Sequence, residues 1–277
     1  MKELIIALVG QPNVGKSMLI NSIADARLKV GNFSGVTVEK AEVRFVAQEH
    51  AIKIVDLPGT YSLNDYTQDE RVTKEFLENE HYDLIINVVD ATNLERNLYL
   101  TTQLLELGKK MIVALNMMDE AQKEGICIDH ELLSSILGVP CVKVSAATKK
   151  GIGKLLNRTI DISNFPHEKS KLIYSDVVEE EIEKLSSFLT QKRYKTDLAY
   201  RDLVIKLLQE NPKIYHKMHD EPIWLEFSPL LKESLEHLYL HHDTKDVSEI
   251  FAEERASFAK GAITEALTCK KSVSLNM

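Results

Sequence analysis

The sequence has no apolar run near the roughly 18 residues that a bilayer-spanning helix needs, so no membrane span is expected within its 277 residues. Its opening, MKELIIALVG, is too short and ends in the wrong residues for a secretion signal. Cysteine is scarce: Cys127, Cys141 and Cys269 form an odd, widely spaced set. That usage suits a reducing compartment, speaks against a disulfide scaffold and predicts simple core or surface thiols. A basic excess is missing too, because 34 Lys and Arg face 42 Asp and Glu, for a net charge of −8. Residues 166–277 hold 16 basic and 20 acidic side chains, so the parts before and after residue 166 each carry −4. Without a basic arm or face, nucleic acid is not an expected partner. Internal repeats and low-complexity segments are absent as well. What is present, 44% hydrophobic and 27% charged residues, suits one large globular domain or a medium one with a small companion.

The first 165 residues alternate short apolar runs with amphipathic stretches. Residues 4–9, 51–55, 84–89, 111–115 and 141–144 read as strands too continuously apolar to be half-exposed. Residues 38–47 alternate charged and apolar side chains (Glu39, Glu42, Arg44), the pattern of an edge strand. Helical spacing marks 16–24, 68–79, 94–107, 130–137 and 153–162. This alternation predicts an α/β fold with a mostly parallel sheet covered on both faces, which the loop motifs below make one of the P-loop NTPase kind. Right-handed crossovers then gather the strands' C-terminal ends on one rim, where ligands bind. Beyond Pro166 the pattern turns to long charged amphipathic stretches at 175–190, 197–209, 229–241 and 247–267, with no convincing strand. Ile182, Leu185, Phe188 and Leu189 recur at helical spacing, and Leu198, Leu203, Ile205 and Leu208 do so less regularly. The expected organisation is a nucleotide domain at 1–165, a small all-α domain at 166–260 and a linker at 261–277.

Four loops at strand ends carry the chemistry. Gly10-Gln11-Pro12-Asn13-Val14-Gly15-Lys16-Ser17 has P-loop spacing directly after a strand and opening a helix. Its glycines let backbone N–H groups turn onto phosphate oxygens, and the helix N-terminus adds a favourable partial charge. Lys16 is expected on the β- and γ-phosphates, the Ser17 hydroxyl on Mg²⁺, and Met18 continues the contact. Asp56-Leu57-Pro58-Gly59 supplies a carboxylate for Mg²⁺ and a Gly59 N–H that senses a γ-phosphate. At Asn116-Met117-Met118-Asp119, the Asp119 carboxylate accepting from two guanine N–H groups, with Asn116 nearby, distinguishes guanine from adenine, which reverses the pattern. Met117 stands where a lysine stem usually covers the base. Backbone N–H groups of Ser145-Ala146-Ala147 are expected to face the guanine oxygen. Together these four loops describe a GTP/GDP site.

With these motifs in view, the chain resembles the translation-factor-like branch of GTPases. Three further stretches narrow the resemblance: VGNFSGVTVEK at 30–40, LPGTYSL at 57–63 and DERV at 69–72. They are similar to the cytosolic N-terminal part of bacterial ferrous-iron transport protein B (FeoB), densely over the nucleotide domain and more weakly over 166–260. The resemblance implies a GTP hydrolase, slow because Thr60 stands in for a water-orienting Gln, that regulates a ferrous-iron permease, at the cytoplasmic side of the bacterial inner membrane, as a soluble fragment. Its implied partners are the permease part of the same protein and small accessory transport proteins, with self-association left open. It also implies that Asn13 helps hold K⁺ beside the phosphates, with backbone carbonyls of residues 31–34 completing the site. A soluble Era- or Der-type GTPase acting on ribosome or RNA is the alternative, and it predicts a basic appendage that the −4 of 166–277 does not offer.

The catalytic set expected from these motifs is Asn13, Lys16, Thr37, Gly59 and Thr60. Thr37 is the switch I candidate for Mg²⁺, and Thr60 stands where Ras-type enzymes place a water-orienting Gln. Arg27 and Arg44 are the nearest candidates for an arginine finger, although solvated surface residues are the plainer reading. Switch II is expected from Gly59 to Arg71, with Asp65, Asp69 and Glu70 as a solvated face. His237 and His241 are four apart, compatible with a metal on a helix, yet no carboxylate or cysteine pattern converges on them. Trp224 and Phe227 read as packing between helices.

Overall fold

The computed structural model describes residues 2–24, 29–32, 39–64, 66–165 and 172–270. The first of two compact units comprises Met1–Leu172 and Ala259–Met277. In chain order it contains β1 (Lys2–Gly10), α1 (Lys16–Ala24), β2 (Lys29–Asn32), β3 (Glu39–Ala47), β4 (His50–Asp56), α2 (Gln68–Asn79) and β5 (Leu84–Asp90). There follow α3 (Leu94–Glu106), β6 (Met111–Asn116), α4 (Met118–Lys123), β7 (Ile126–Ile128), α5 (His130–Leu137), β8 (Cys141–Lys143) and α6 (Ile152–Asn164). Seven strands form one mixed sheet in the order β2-β3-β4-β1-β5-β6-β8. The five strands from β4 to β8 run parallel, while β3 pairs antiparallel with both β2 and β4.

Register carries each parallel strand to the same rim: Leu8 faces Asp56, Gly10 faces Val88 and Asp90 faces Asn116. The continuous apolar runs are explained by burial on both faces. Ile6, Leu8, Ile54, Leu84, Val88 and Ala114 are inaccessible or nearly so, packed with Leu19 and Ile20 of α1 and Leu155 of α6. Each such Leu or Ile contributes about 1.5–3 kcal/mol of transfer free energy, which fixes where the rim loops emerge.

The alternating segment at 38–47 is not the sheet's edge. The four-residue β2 lies outside β3, and it is too short to show a period. Two short elements within 118–128, α4 and β7, also lacked a period long enough to read.

The second unit, Ile173–Phe258, is helical: α7 (Asp176–Gln191), α8 (Tyr200–Leu208), α9 (Pro212–His219), α10 (Trp224–His242) and α11 (Val247–Ala266), whose last turns belong to the first unit. Val178, Ile182, Leu185 and Leu189 form the buried stripe of α7, against Leu203 and Leu207 of α8 and Phe227 and Leu231 of α10. Phe227 is fully buried beside Phe188, with ring centroids 5.8 Å apart. Trp224 meets Tyr215 edge-on at 4.9 Å, so both aromatics pack between helices. α10 opens five residues before Pro229, because Trp224 and Phe227 already donate backbone bonds to Glu221 and Ile223.

The expectation of no strand beyond 166 is overturned by β9 (Leu267–Lys270), which pairs antiparallel with β7. Cys127 and Cys269 face each other across that pair and are joined as a disulfide, so only Cys141 is a free thiol. Sequence spacing could not reveal a partnership across 142 positions.

Candidate nucleotide-binding site

β1 ends at Gly10, where nothing larger than glycine fits. A Cβ there would lie 2.5 Å from the Val88 carbonyl oxygen of β5. The loop then turns through two left-handed residues, Asn13 at φ +65° and Gly15 at φ +86°. Asparagine tolerates that region better than most side chains, so Asn13 shapes the loop as well as presenting an exposed carboxamide. A Cβ on Gly15 would meet the Asn116 side-chain nitrogen at 2.5 Å. Val14 is buried beneath the loop, while Ser17 and Met18 lie exposed on the first turn of α1.

Lys16 folds back over the loop, its Nζ donating to the Gly10 carbonyl oxygen at 3.3 Å. Burial pulls the ammonium pKa below its ordinary value, against the opposing pull of Asp56 and Asp69. Asp56, at the end of β4, shows the complementary effect. Burial pushes its carboxyl up to about 6, although Lys16 and a Ser17 hydrogen bond favour the charged form. Its Oδ1 is buried without a hydrogen-bond partner. A buried carboxylate oxygen beside a serine hydroxyl is a donor set that suits a hard divalent cation such as Mg²⁺.

Gly59 passes close under the P-loop: a Cβ on it would meet Pro12 Cα at 3.0 Å. Thr60 is buried and doubly committed, its N–H donating to Gly10 O at 3.3 Å and its hydroxyl to Ser62 O at 2.6 Å. The hydroxyl therefore serves the loop in this conformation. Glu70 is not part of a solvated face. It is buried, accepting from the Ser62 hydroxyl at 2.8 Å and from the backbone N–H groups of Tyr66 and Thr67. With Thr67 it forms a capping box that starts α2. Leu63 N–H donates to Gln103 Oε1 at 2.9 Å, and the Arg96 guanidinium lies 4.2 Å over the Tyr61 ring. Gln11, missed in the sequence, is buried and bonds the Arg96 carbonyl oxygen through Nε2.

The third loop is anchored from within. Asn116 is buried, and its carboxamide is taken up within the protein. It donates to Val14 O at 2.9 Å and accepts from the Ala146 N–H at 3.0 Å. The Ser145 N–H is likewise committed, to Lys150 O at 3.0 Å, which leaves exposed Ala147 as the outward member of its loop. Met117 adopts φ +61° at the start of α4, and its methyl lies beside the position a Gly15 Cβ would take. Asp119 stands one residue into α4, where the Ser145 hydroxyl bonds its carboxylate and holds it below the usual range. It is ready to accept from a donor pair.

Thr37 and Arg27 lie outside the described residues, as do Phe33, Ser34 and Asp65. Gly31 and Asn32 are in β2, paired with Lys40 and Glu39. Arg44 is not brought to the site. It faces Lys53, three residues short of Asp56, and is exposed in an ion pair with Glu42 at 3.6 Å. His237 bonds Glu181 at 2.7 Å rather than pairing with His241. Among the described residues no group of three or more His, Cys, Asp or Glu gathers at metal-binding spacing.

Relatives and solved structures share this fold. A Helicobacter pylori Fe(2+) transporter FeoB is 66% identical over 150 residues, 54% of this chain and 23% of the relative. A Porphyromonas gingivalis Fe(2+) transport protein A/Fe(2+) transporter FeoB fusion protein is 37% identical over 94% of this chain and 32% of its own length. The chain thus spans between about a quarter and a third of these curated relatives. A GDP-bound mutant of the S. thermophilus FeoB G-domain superposes with a TM-score of 0.80 at 32% identity, covering 97% of this chain and all of that one. The apo cytosolic domain of the T. maritima FeoB iron transporter gives 0.76 at 31% identity, covering 96% and 100%. Residues 4–159 match the ferrous iron transport protein B family and residues 174–268 the FeoB cytosolic helical domain, and the chain belongs to that family.

Proposed function

We propose that this chain binds and hydrolyses GTP and serves as the nucleotide-driven regulatory part of a ferrous-iron transporter. The observation that supports the reading is the Asn116 bridge, which ties the P-loop to the 145–147 loop; the Ser145-bonded carboxylate of Asp119 is the proposed guanine acceptor. A solved relative from S. thermophilus bound to GDP and a T. maritima one in a GMPPNP form support the nucleotide class. Membership of the FeoB family disfavours the Era- or Der-type alternative.

Lys16 neutralises the β- and γ-phosphates from the loop, and the Gly59 N–H meets the γ-phosphate. Ser17 and Asp56 would hold Mg²⁺, which would offset phosphate charge; Thr37 is the proposed switch I ligand. Thr60 has no carboxamide to orient water, and Arg44 is turned away, so unassisted hydrolysis is slow. The Asn13 carboxamide would then hold K⁺, which would supply positive charge beside the phosphates as an arginine finger does. Gly10, Val14, Gly15, Met18, Met117 and Ala147 complete the nucleotide's surroundings. The proposed partner is a membrane permease part on the same polypeptide, at the cytoplasmic face of the bacterial inner membrane.

Equilibrium titration tests the binding claim. Fluorescent GDP is expected to bind at least about 100-fold more tightly than the adenine analogue, a gap of about 2.7 kcal/mol. Equal affinities would refute a guanine site.

A further inference from the structure

The disulfide between Cys127 and Cys269 lies apart from the nucleotide loops and from any role above. The two residues are register partners across β7 and β9, with Cα atoms 5.0 Å apart. Both are exposed, whereas Cys141 is buried and its thiol pushed up to about 12 by that burial. Exposed cysteines exchange with small thiols and disulfides; a buried neutral thiol does not.

The strands they join are marginal without them. Only three register pairs connect β7 and β9, with an irregularity between Cys127 and Ile128. Two-stranded ribbons of that size do not stand alone in water. Other support comes from the Asp129 N–H donating to Ala266 O at 2.8 Å, the Thr268 hydroxyl donating to Cys127 O at 3.3 Å, and buried Ile128 and Ala266. β7 runs between α4, which carries Asp119, and α5, which Asp129 caps. The cross-link therefore fixes the segment that follows α11 next to the helix bearing the base-reading carboxylate.

We propose that Cys127 and Cys269 form a reversible thiol–disulfide site that clamps β9 to β7, with a small-molecule disulfide of the glutathione class as oxidant. One cysteine thiolate attacks a sulfur of that disulfide, forming a mixed disulfide and releasing one small thiol. The second cysteine, its proton passed to water, attacks the protein-side sulfur and displaces the other small thiol. Two protein thiols and one small disulfide thus become one protein disulfide and two small thiols, a two-electron exchange that excess small thiol reverses. Disulfides of intracellular proteins are usually transient in this way.

The test uses the intact chain in reduced and oxidised glutathione mixtures, quenched in acid, unfolded and alkylated for mass measurement. The expected counts are three alkylated cysteines under reducing conditions and one, Cys141, under oxidising conditions, with full return on adding thiol. Amide exchange at 126–128 and 267–270 should be at least about tenfold slower in the oxidised form, since local opening sets those rates. Cys141→Ser should keep the clamp and Cys127→Ser should lose it without cross-linking elsewhere. Three thiols at every glutathione ratio, a disulfide-linked dimer, a bond that small thiols never reduce, or equal exchange rates would each overturn the proposal. None of these readouts depends on nucleotide, so failure here leaves the GTP reading untouched.

Discussion

Asn116 donates its carboxamide N–H to the Val14 carbonyl oxygen at 2.9 Å, joining two loops 102 positions apart. The same side chain accepts from Ala146, so three rim loops are set by one buried amide. Asn116→Ala would leave two buried backbone groups unpaired, at about 1–3 kcal/mol each. GDP affinity, measured by fluorescence titration, should fall by about 100-fold. A change of less than threefold would show that the loops hold their places without the bridge.

Asp119 tests base reading more narrowly. Asp119→Asn replaces an acceptor by a group that can also donate. Xanthine carries a carbonyl where guanine carries its amino group, so preference should move from GDP to xanthosine diphosphate. Competition binding reads the ratio directly, and a variant that still prefers GDP contradicts the assigned role.

Asp56 gives a pH signature in metal-free buffer. Its folded carboxyl titrates near 6, against 3.8 for the ordinary group. The folded chain holds that proton more tightly, so this contribution to stability is full below 3.8 and lost as pH rises through about 6. At pH 7.5 with chelator, Asp56→Asn should therefore stabilise the chain by on the order of 2 kcal/mol in denaturant titration. The gain should shrink toward pH 4, and the variant should lose Mg²⁺-dependent hydrolysis. A destabilised variant at pH 7.5 would mean that the carboxylate is well compensated.

Asn13 has two separable roles, loop shape and cation binding. Glycine adopts φ +65° freely, so Asn13→Gly keeps the turn and removes only the carboxamide. GDP affinity should stay within about threefold, while any acceleration of hydrolysis by KCl over NaCl disappears. Retained stimulation would assign K⁺ elsewhere.

Local motifs were legible because their chemistry is written in consecutive residues: the glycine positions of the P-loop, Asp56 and Gly59 after a strand, Asp119 after another. The parallel core was legible because burial on both faces leaves unbroken apolar runs such as 84–89. What escaped depends on distance in the chain or on shortness. The Asn116 bridge and the Cys127–Cys269 link each join residues more than a hundred positions apart. β2 and β7, of four and three residues, are too brief for a period to register. Glu70 looked solvated because its neighbours are charged, yet its carboxylate is drawn inward by Ser62 and the N–H groups of Tyr66 and Thr67.

Whether these loops form a GTPase site is decided by steady-state phosphate release from the purified chain with Mg²⁺, comparing GTP with ATP in KCl. Slow but measurable turnover of GTP is expected, abolished by Lys16→Ala, with ATP at background. Equal turnover of both nucleotides, or GTP turnover that survives Lys16→Ala, would contradict it.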